Sequence, residues 1–222
     1  RICSPRNSSA PWTAFIFIRR SHPPAVSGRR HEAQMPPRDV ALTSFQEVQR
    51  FGRVYTGGKV SVSHDAELIV CMCGEKLSVI EAKSGALLFS VDSAADELTS
   101  FALHPCSHEL VAATRSRQLQ RCVLNVDGRS AETVHVWKAH RMSVLDLTYE
   151  QTGTLVASAS ADTTVMVFDV IKGFCSHVLR GHTAPVHRVL FGRAEGRRLQ
   201  LFSAAADHAV RIWDLKSKGC VG

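Results

Sequence analysis

Among the 222 residues, the side chains best equipped for reaction chemistry are a histidine, a serine and an aspartate that occur together twice. One set is His140, Ser158 and Asp162; the other is His182, Ser203 and Asp207. A serine nucleophile, an imidazole base and a carboxylate to orient it would be the equipment of a hydrolase. Such a nucleophile needs an exposed oxygen, an oxyanion hole and a pocket, and the chain has no G-x-S-x-G turn. The trio also returns at a period. Ser158, Asp162, Phe168 and Asp169 recur 45 positions later as Ser203, Asp207, Trp213 and Asp214, and the two histidines are 42 apart. The three-residue difference falls in Gly192 to Arg198, a polar stretch that reads as a lengthened turn. A trio repeated at the period of a folding unit reads as part of that unit's construction, so no enzyme activity is expected.

Other chemistry is thinner still. His104, His108, His135, His177, His187 and His208 show no metal-ligand spacing with one another. The seven cysteines (Cys3, Cys71, Cys73, Cys106, Cys122, Cys175, Cys220) form neither an even disulfide framework nor a C-x-x-C pair. Cys71 and Cys73, two apart in an apolar run, read as core-filling strand neighbours in a reducing compartment. No Gly-rich phosphate cradle is present. No metal, cofactor or small-molecule substrate is therefore expected.

The net charge of +7 is concentrated at one end. Residues 1–34 hold six arginines against Glu32, a balance of +5, and the other 188 residues hold only +2. The charge total is thus a poor guide to the partners of the folded part. Two local clusters could touch phosphate or an acidic surface: Arg193, Arg197 and Arg198, and Arg115, Arg117 and Arg121. Neither interleaves aromatic residues for base stacking, so a solvated face is the plainer reading. Protein contacts rank ahead of RNA contacts.

These side chains must be positioned by short strands. Residues 1–43 are basic and Pro-rich and read as a disordered leader. Its Arg and Ser content resembles a transit peptide, but Met35, just ahead of the first globular-looking sequence, reads better as a natural start with upstream sequence before it. No apolar run approaches the ~18 residues of a helical membrane span, and no membrane partner is expected. From about residue 58 onward, apolar runs of four to seven residues alternate with Gly, Asp, Ser or Asn, as in Glu67 to Cys73, Leu98 to Leu103 and Thr133 to Trp137. Runs this short predict antiparallel strands and an all-β chain.

Arg180-Gly181-His182 followed by Val210-Arg211-Ile212-Trp213-Asp214 resembles a WD40 repeat, a four-stranded propeller blade. Lys138-Ala139-His140 to Val165-Met166-Val167-Phe168-Asp169 resembles another, with Ala for Gly and Phe for Trp. In such a blade the aspartate accepts from the imidazole, the imidazole meets the serine hydroxyl, and that hydroxyl accepts from the indole N–H. This gives a full tetrad at His182, Ser203, Asp207 and Trp213. The set at His140, Ser158 and Asp162 is partial and should stop at Ser158, leaving a weaker blade. Four blades are expected over residues 44–222, at about 59–91, 98–138, 143–179 and 185–222, the last lacking its outer strand. A propeller closes by pairing its last blade with its first, so an incomplete WD40 propeller and a fragment of a longer protein are expected, with Ser44 to Thr56 supplying the outer strand of a closing blade.

The less regular residues carry a finer likeness. Tyr55-Thr56-Gly57-Gly58-Lys59-Val60, Ile69 to Gly74, Val79-Ile80-Glu81-Ala82, Ser84 to Leu88, Leu98 to Leu103, Trp137 to His140 and Leu201 to Asp207 resemble, in order, the opening blades of the transducin beta-like protein 3 family, also called U3 small nucleolar RNA-associated protein 13. The resemblance implies a nucleolar scaffold of the small-subunit processome. Its partners would be other processome proteins, with small nucleolar RNA or pre-ribosomal RNA as a further class. The rival reading is a generic WD40 interaction module such as a cullin ubiquitin-ligase substrate receptor. The adaptor box of such receptors resembles WDxR, whereas Trp213-Asp214-Leu215-Lys216 ends in lysine.

Overall fold

The computed structural model describes residues 58–92, 96–193, 199–216 and the strand at 219–220. The leader at 1–43 and the segment Ser44 to Thr56 lie outside the described residues. The first sheet holds β1 (Val60–Val62), β2 (Leu68–Cys73), β3 (Lys76–Glu81) and β4 (Leu87–Val91). The second holds β5 (Leu98–Leu103), β6 (Glu109–Thr114), β7 (Gln118–Asn125) and β8 (Ser130–Lys138). The third comprises β9 (Val144–Tyr149), β10 (Leu155–Ser160), β11 (Val165–Asp169) and β12 (Phe174–Leu179). The fourth comprises β13 (Val186–Arg193), β14 (Leu199–Ala205), β15 (Val210–Asp214) and β16 (Gly219–Cys220). Each sheet is an antiparallel meander, and the four are arranged as the blades of a four-bladed β-propeller. Where the sequence leaves the fourth blade without an outer strand, the structure has β16, two residues paired with Trp213 and Asp214. Among the described residues there is no helix, hence none long and apolar enough to cross a membrane.

The second strand of each blade explains why alternation is faint in the sequence. In β6 (ELVAAT) and β10 (LVASAS) five of six residues are buried, because a sheet lies on either side. Both faces must then be apolar or small, which yields a continuous run in place of a period of two. The outer strands β4, β8 and β12 are half exposed, and each pairs through a register shift that adds local twist. The turn between second and third strands reverses through one left-handed residue in every blade: Gly74, Arg117, Thr163 and His208.

Three apolar cores join the four sheets. Val70, Leu77, Phe101 and Leu110 knit the first to the second; Trp137, Leu147 and Phe168 the second to the third; Val165, Val167, Leu201 and Trp213 the third to the fourth. The far side of the fourth sheet differs, for Leu190 is 62% and Val210 66% exposed. The innermost strands β5, β9 and β13 neighbour one another in turn.

Candidate functional site

Antiparallel pairing sets Leu201 opposite Trp213 and Ser203 opposite Arg211, so Ser203 and the Trp213 indole share a face. His182 arrives on the segment between β12 and β13, and Asp207 on the turn between β14 and β15. The Trp213 indole N–H donates to Ser203 Oγ at 2.8 Å. Ser203 Oγ lies 2.8 Å from His182 Nε2, and His182 Nδ1 lies 2.8 Å from Asp207 Oδ2. With Nδ1–H donating to the carboxylate, Nε2 is left to accept the serine proton, and the hydroxyl oxygen accepts from the indole. The backbone N–H groups of Thr183 and Ala209 also donate to Asp207, both at 3.1 Å. The His182 hydrogen bond above all, helped by those amides against burial, holds the Asp207 carboxyl down at about 2.

The third sheet repeats the arrangement with altered parts. His140 Nδ1 lies 3.0 Å from Asp162 Oδ2, and His140 Nε2 lies 2.7 Å from Ser158 Oγ. Phe168 carries no donor, and the Ser158 hydroxyl instead lies 3.3 Å from the Met166 carbonyl. Two hydroxyls accompany the loss. Thr164 donates to Asp162 Oδ1 at 2.6 Å, and Ser160 donates to the Ser143 carbonyl at 3.0 Å. The fourth sheet has Ala209 and Ala205 at those places. Burial pushes His140 below its usual value, with the Asp162 charge opposing. Burial resists ionisation of Asp162, yet the Thr164 hydroxyl and the Arg141 N–H hold its carboxyl below the ordinary range.

Ser203 is 2% exposed and its oxygen is already engaged by an indole and an imidazole. That geometry links the segment entering each blade to the blade's own central strands, and it leaves the oxygen little room to attack a substrate.

The basic candidates are scattered. Arg115 pairs with Glu97, and Arg117 donates to the Arg141 carbonyl at 3.0 Å. Arg121 lies within β7 and not in a loop, paired with Glu109 at 2.8 Å. Arg193 reaches Glu150 on the third sheet at 3.2 Å. Arg197 and Arg198 lie outside the described residues.

Spacing gave no warning of an ionic contact spanning three blades. Lys59, just ahead of β1, donates to Asp146 Oδ1 on β9 at 2.9 Å and also to the Leu147 carbonyl. Asp146 Oδ2 accepts the Val189 N–H of β13 at 3.2 Å. The one available signal is a lone acid within the apolar run Val144-Leu145-Asp146-Leu147.

The WD40 family model (WD domain, G-beta repeat) matches residues 131–169 and 173–214. Transducin beta-like protein 3 of Mus musculus is 34% identical over 169 residues, covering 75% of this chain and 20% of the relative. The Bos taurus protein of the same name is 33% identical over the same extent. Cell division control protein 4 of Saccharomyces cerevisiae is 34% identical over 84 residues, 38% of this chain and 10% of its own length. The chain thus spans about a fifth of the length of the first two relatives. Likeness to them runs well beyond the 81 residues that the repeat model matches. With four meander sheets, two His–Ser–Asp sets at blade period and this extended identity, the chain is a WD40 protein of the transducin beta-like protein 3 family.

Proposed function

We propose that this chain is a non-catalytic scaffold of the small-subunit processome, acting in the nucleolus in pre-ribosomal RNA processing and small-subunit biogenesis. The observation that carries the reading is the 169-residue likeness to transducin beta-like protein 3, which includes blades whose repeat signature is poor. The His–Ser–Asp–Trp latch serves to hold each blade rigid, so that the rim turns present fixed side chains to partners. Partners are proteins first and small nucleolar or pre-ribosomal RNA second. Support for that order comes from Arg115, Arg121 and Arg193, whose charges are already offset by Glu97, Glu109 and Glu150.

Affinity purification of the protein at its natural length from growing cells tests the proposal. Co-isolation of processome proteins together with their guide RNA is the expected result. Recovery of a cullin and its adaptor would overturn it in favour of a ubiquitin-ligase substrate receptor, the reading that Lys216 in the adaptor-box position counts against.

A further inference from the structure

A side-chain group outside the latches meets at the rim between the first and second blades. The β1–β2 turn carries His64 and Asp65, and the β5–β6 turn carries His108. One ligand atom from each of the three side chains lies within 4.8 Å of the other two. His108 Nε2 is 2.7 Å from Asp65 Oδ2, and the His64 and His108 ring centroids are 5.3 Å apart, tilted by 52°. Folding brings these residues together across 43 positions of chain, which is why His108 shows no ligand spacing in the sequence.

Both turns are anchored independently of one another. Asp65 Oδ1 accepts the Glu67 N–H at 3.0 Å and the Ser63 hydroxyl, which leaves Oδ2 for His108. The His108 carbonyl accepts the Leu124 N–H at 2.8 Å, tying its turn to β7. Beside the group opens a cleft of about 530 Å³ lined by Glu67, His108, Asp127 and Glu132, with no lysine or arginine on its wall. Two imidazoles and a carboxylate make a donor set that suits zinc-like ions and disfavours magnesium and calcium, which prefer oxygen alone. The acidic cleft wall adds favourable charge for a cation.

We propose that His64, Asp65 and His108 bind one divalent transition-metal ion of the zinc type, fastening the first blade to the second at the rim. Donors around tetrahedral zinc stand about 3.3 Å apart, so the exposed His64 side chain must swing inward by one to two ångströms. The ion takes the place of the Asp65–His108 hydrogen bond, and a water completes its shell on the cleft side. This site is independent of the processome reading.

The test uses the full chain without an affinity tag and cobalt(II) as the visible probe for zinc. Expected are one cobalt per chain with the intense visible bands of a four-coordinate site, no thiolate charge-transfer band, and displacement by one equivalent of zinc. Asp65→Asn and His108→Gln should each weaken binding about tenfold or more, while His187→Gln on β13 leaves it unchanged. Zinc should raise the melting temperature of the parent chain and of neither ligand variant. A cobalt spectrum no different from the aqueous ion, a thiolate band, or equal affinity in the Asp65→Asn chain would each overturn the assignment. Asp65 is exposed in a turn, so that variant remains informative even if His108→Gln fails to fold.

Discussion

Ser203 and Ser158 occupy the same repeat position with different neighbours, which makes them a controlled pair. Ser203→Ala strips the partner from a buried indole N–H and from His182 Nε2, and should cost about 2 kcal/mol in urea unfolding. Ser158→Ala orphans only His140 Nε2, because Phe168 has nothing to lose, and should cost about 1 kcal/mol. Equal losses would mean that the indole adds nothing to the latch. Thr164, which joins the His140 and Asp162 pair, escapes the sequence because the other blade has alanine there and the repeat gives no reason to look. The histidines also set a pH response. Burial lowers His104 and His140 below the model value of 6.5, so near that pH the unfolded chain binds more protons than the native one. Stability then rises with pH, and the melting temperature should fall on acidification from about pH 7.5 to about pH 5.5. Asp207, held at about 2 against 3.8 when unfolded, adds a second loss as the pH drops through that lower window. A melting temperature flat between about pH 7.5 and about pH 5.5 would count against the histidine part of this account.

Single strands are too narrow a unit to explain Asp146. Its carboxylate accepts from Lys59 beside β1 and from the Val189 N–H of β13, so one side chain on β9 couples the first, third and fourth sheets. Asp146→Ala leaves the buried Val189 N–H without an acceptor and the partly exposed Lys59 ammonium without its anion. A loss of about 2 kcal/mol is expected by chemical denaturation. Asp146→Asn keeps an acceptor for Val189 and should lose about half as much. If alanine and asparagine prove equally harmful, the charge and not the hydrogen bond is what matters at this position. Element boundaries themselves were readable, since each second and third strand is a short apolar run closed by a turn residue. The doubly buried strands β6 and β10 show why alternation could not be used: neighbours on both faces erase it.

Across the whole molecule, Val165 and Val210 stand at the same point of the repeat, 45 residues apart, and meet opposite fates. Val165 is fully buried beneath the fourth sheet, whereas Val210 is 66% exposed. Val165→Lys should therefore cost more than about 3 kcal/mol by burying an unpaired charge, and Val210→Lys should change stability by less than about 0.5 kcal/mol. Thermal melts of the two variants check this, and similar losses for both would contradict the blade order. The sequence alone determined the blade: the apolar run lengths, the turn residues and the period are local properties, written by hydrogen-bond geometry that every unit satisfies for itself. Only the tertiary structure decided what each blade faces. Whether Val210 is covered, whether Asp146 finds Lys59, and whether His108 meets His64 and Asp65 all depend on which sheets stack and which turns share a rim. Those contacts join residues 43 to 87 positions apart, beyond the reach of any repeating pattern.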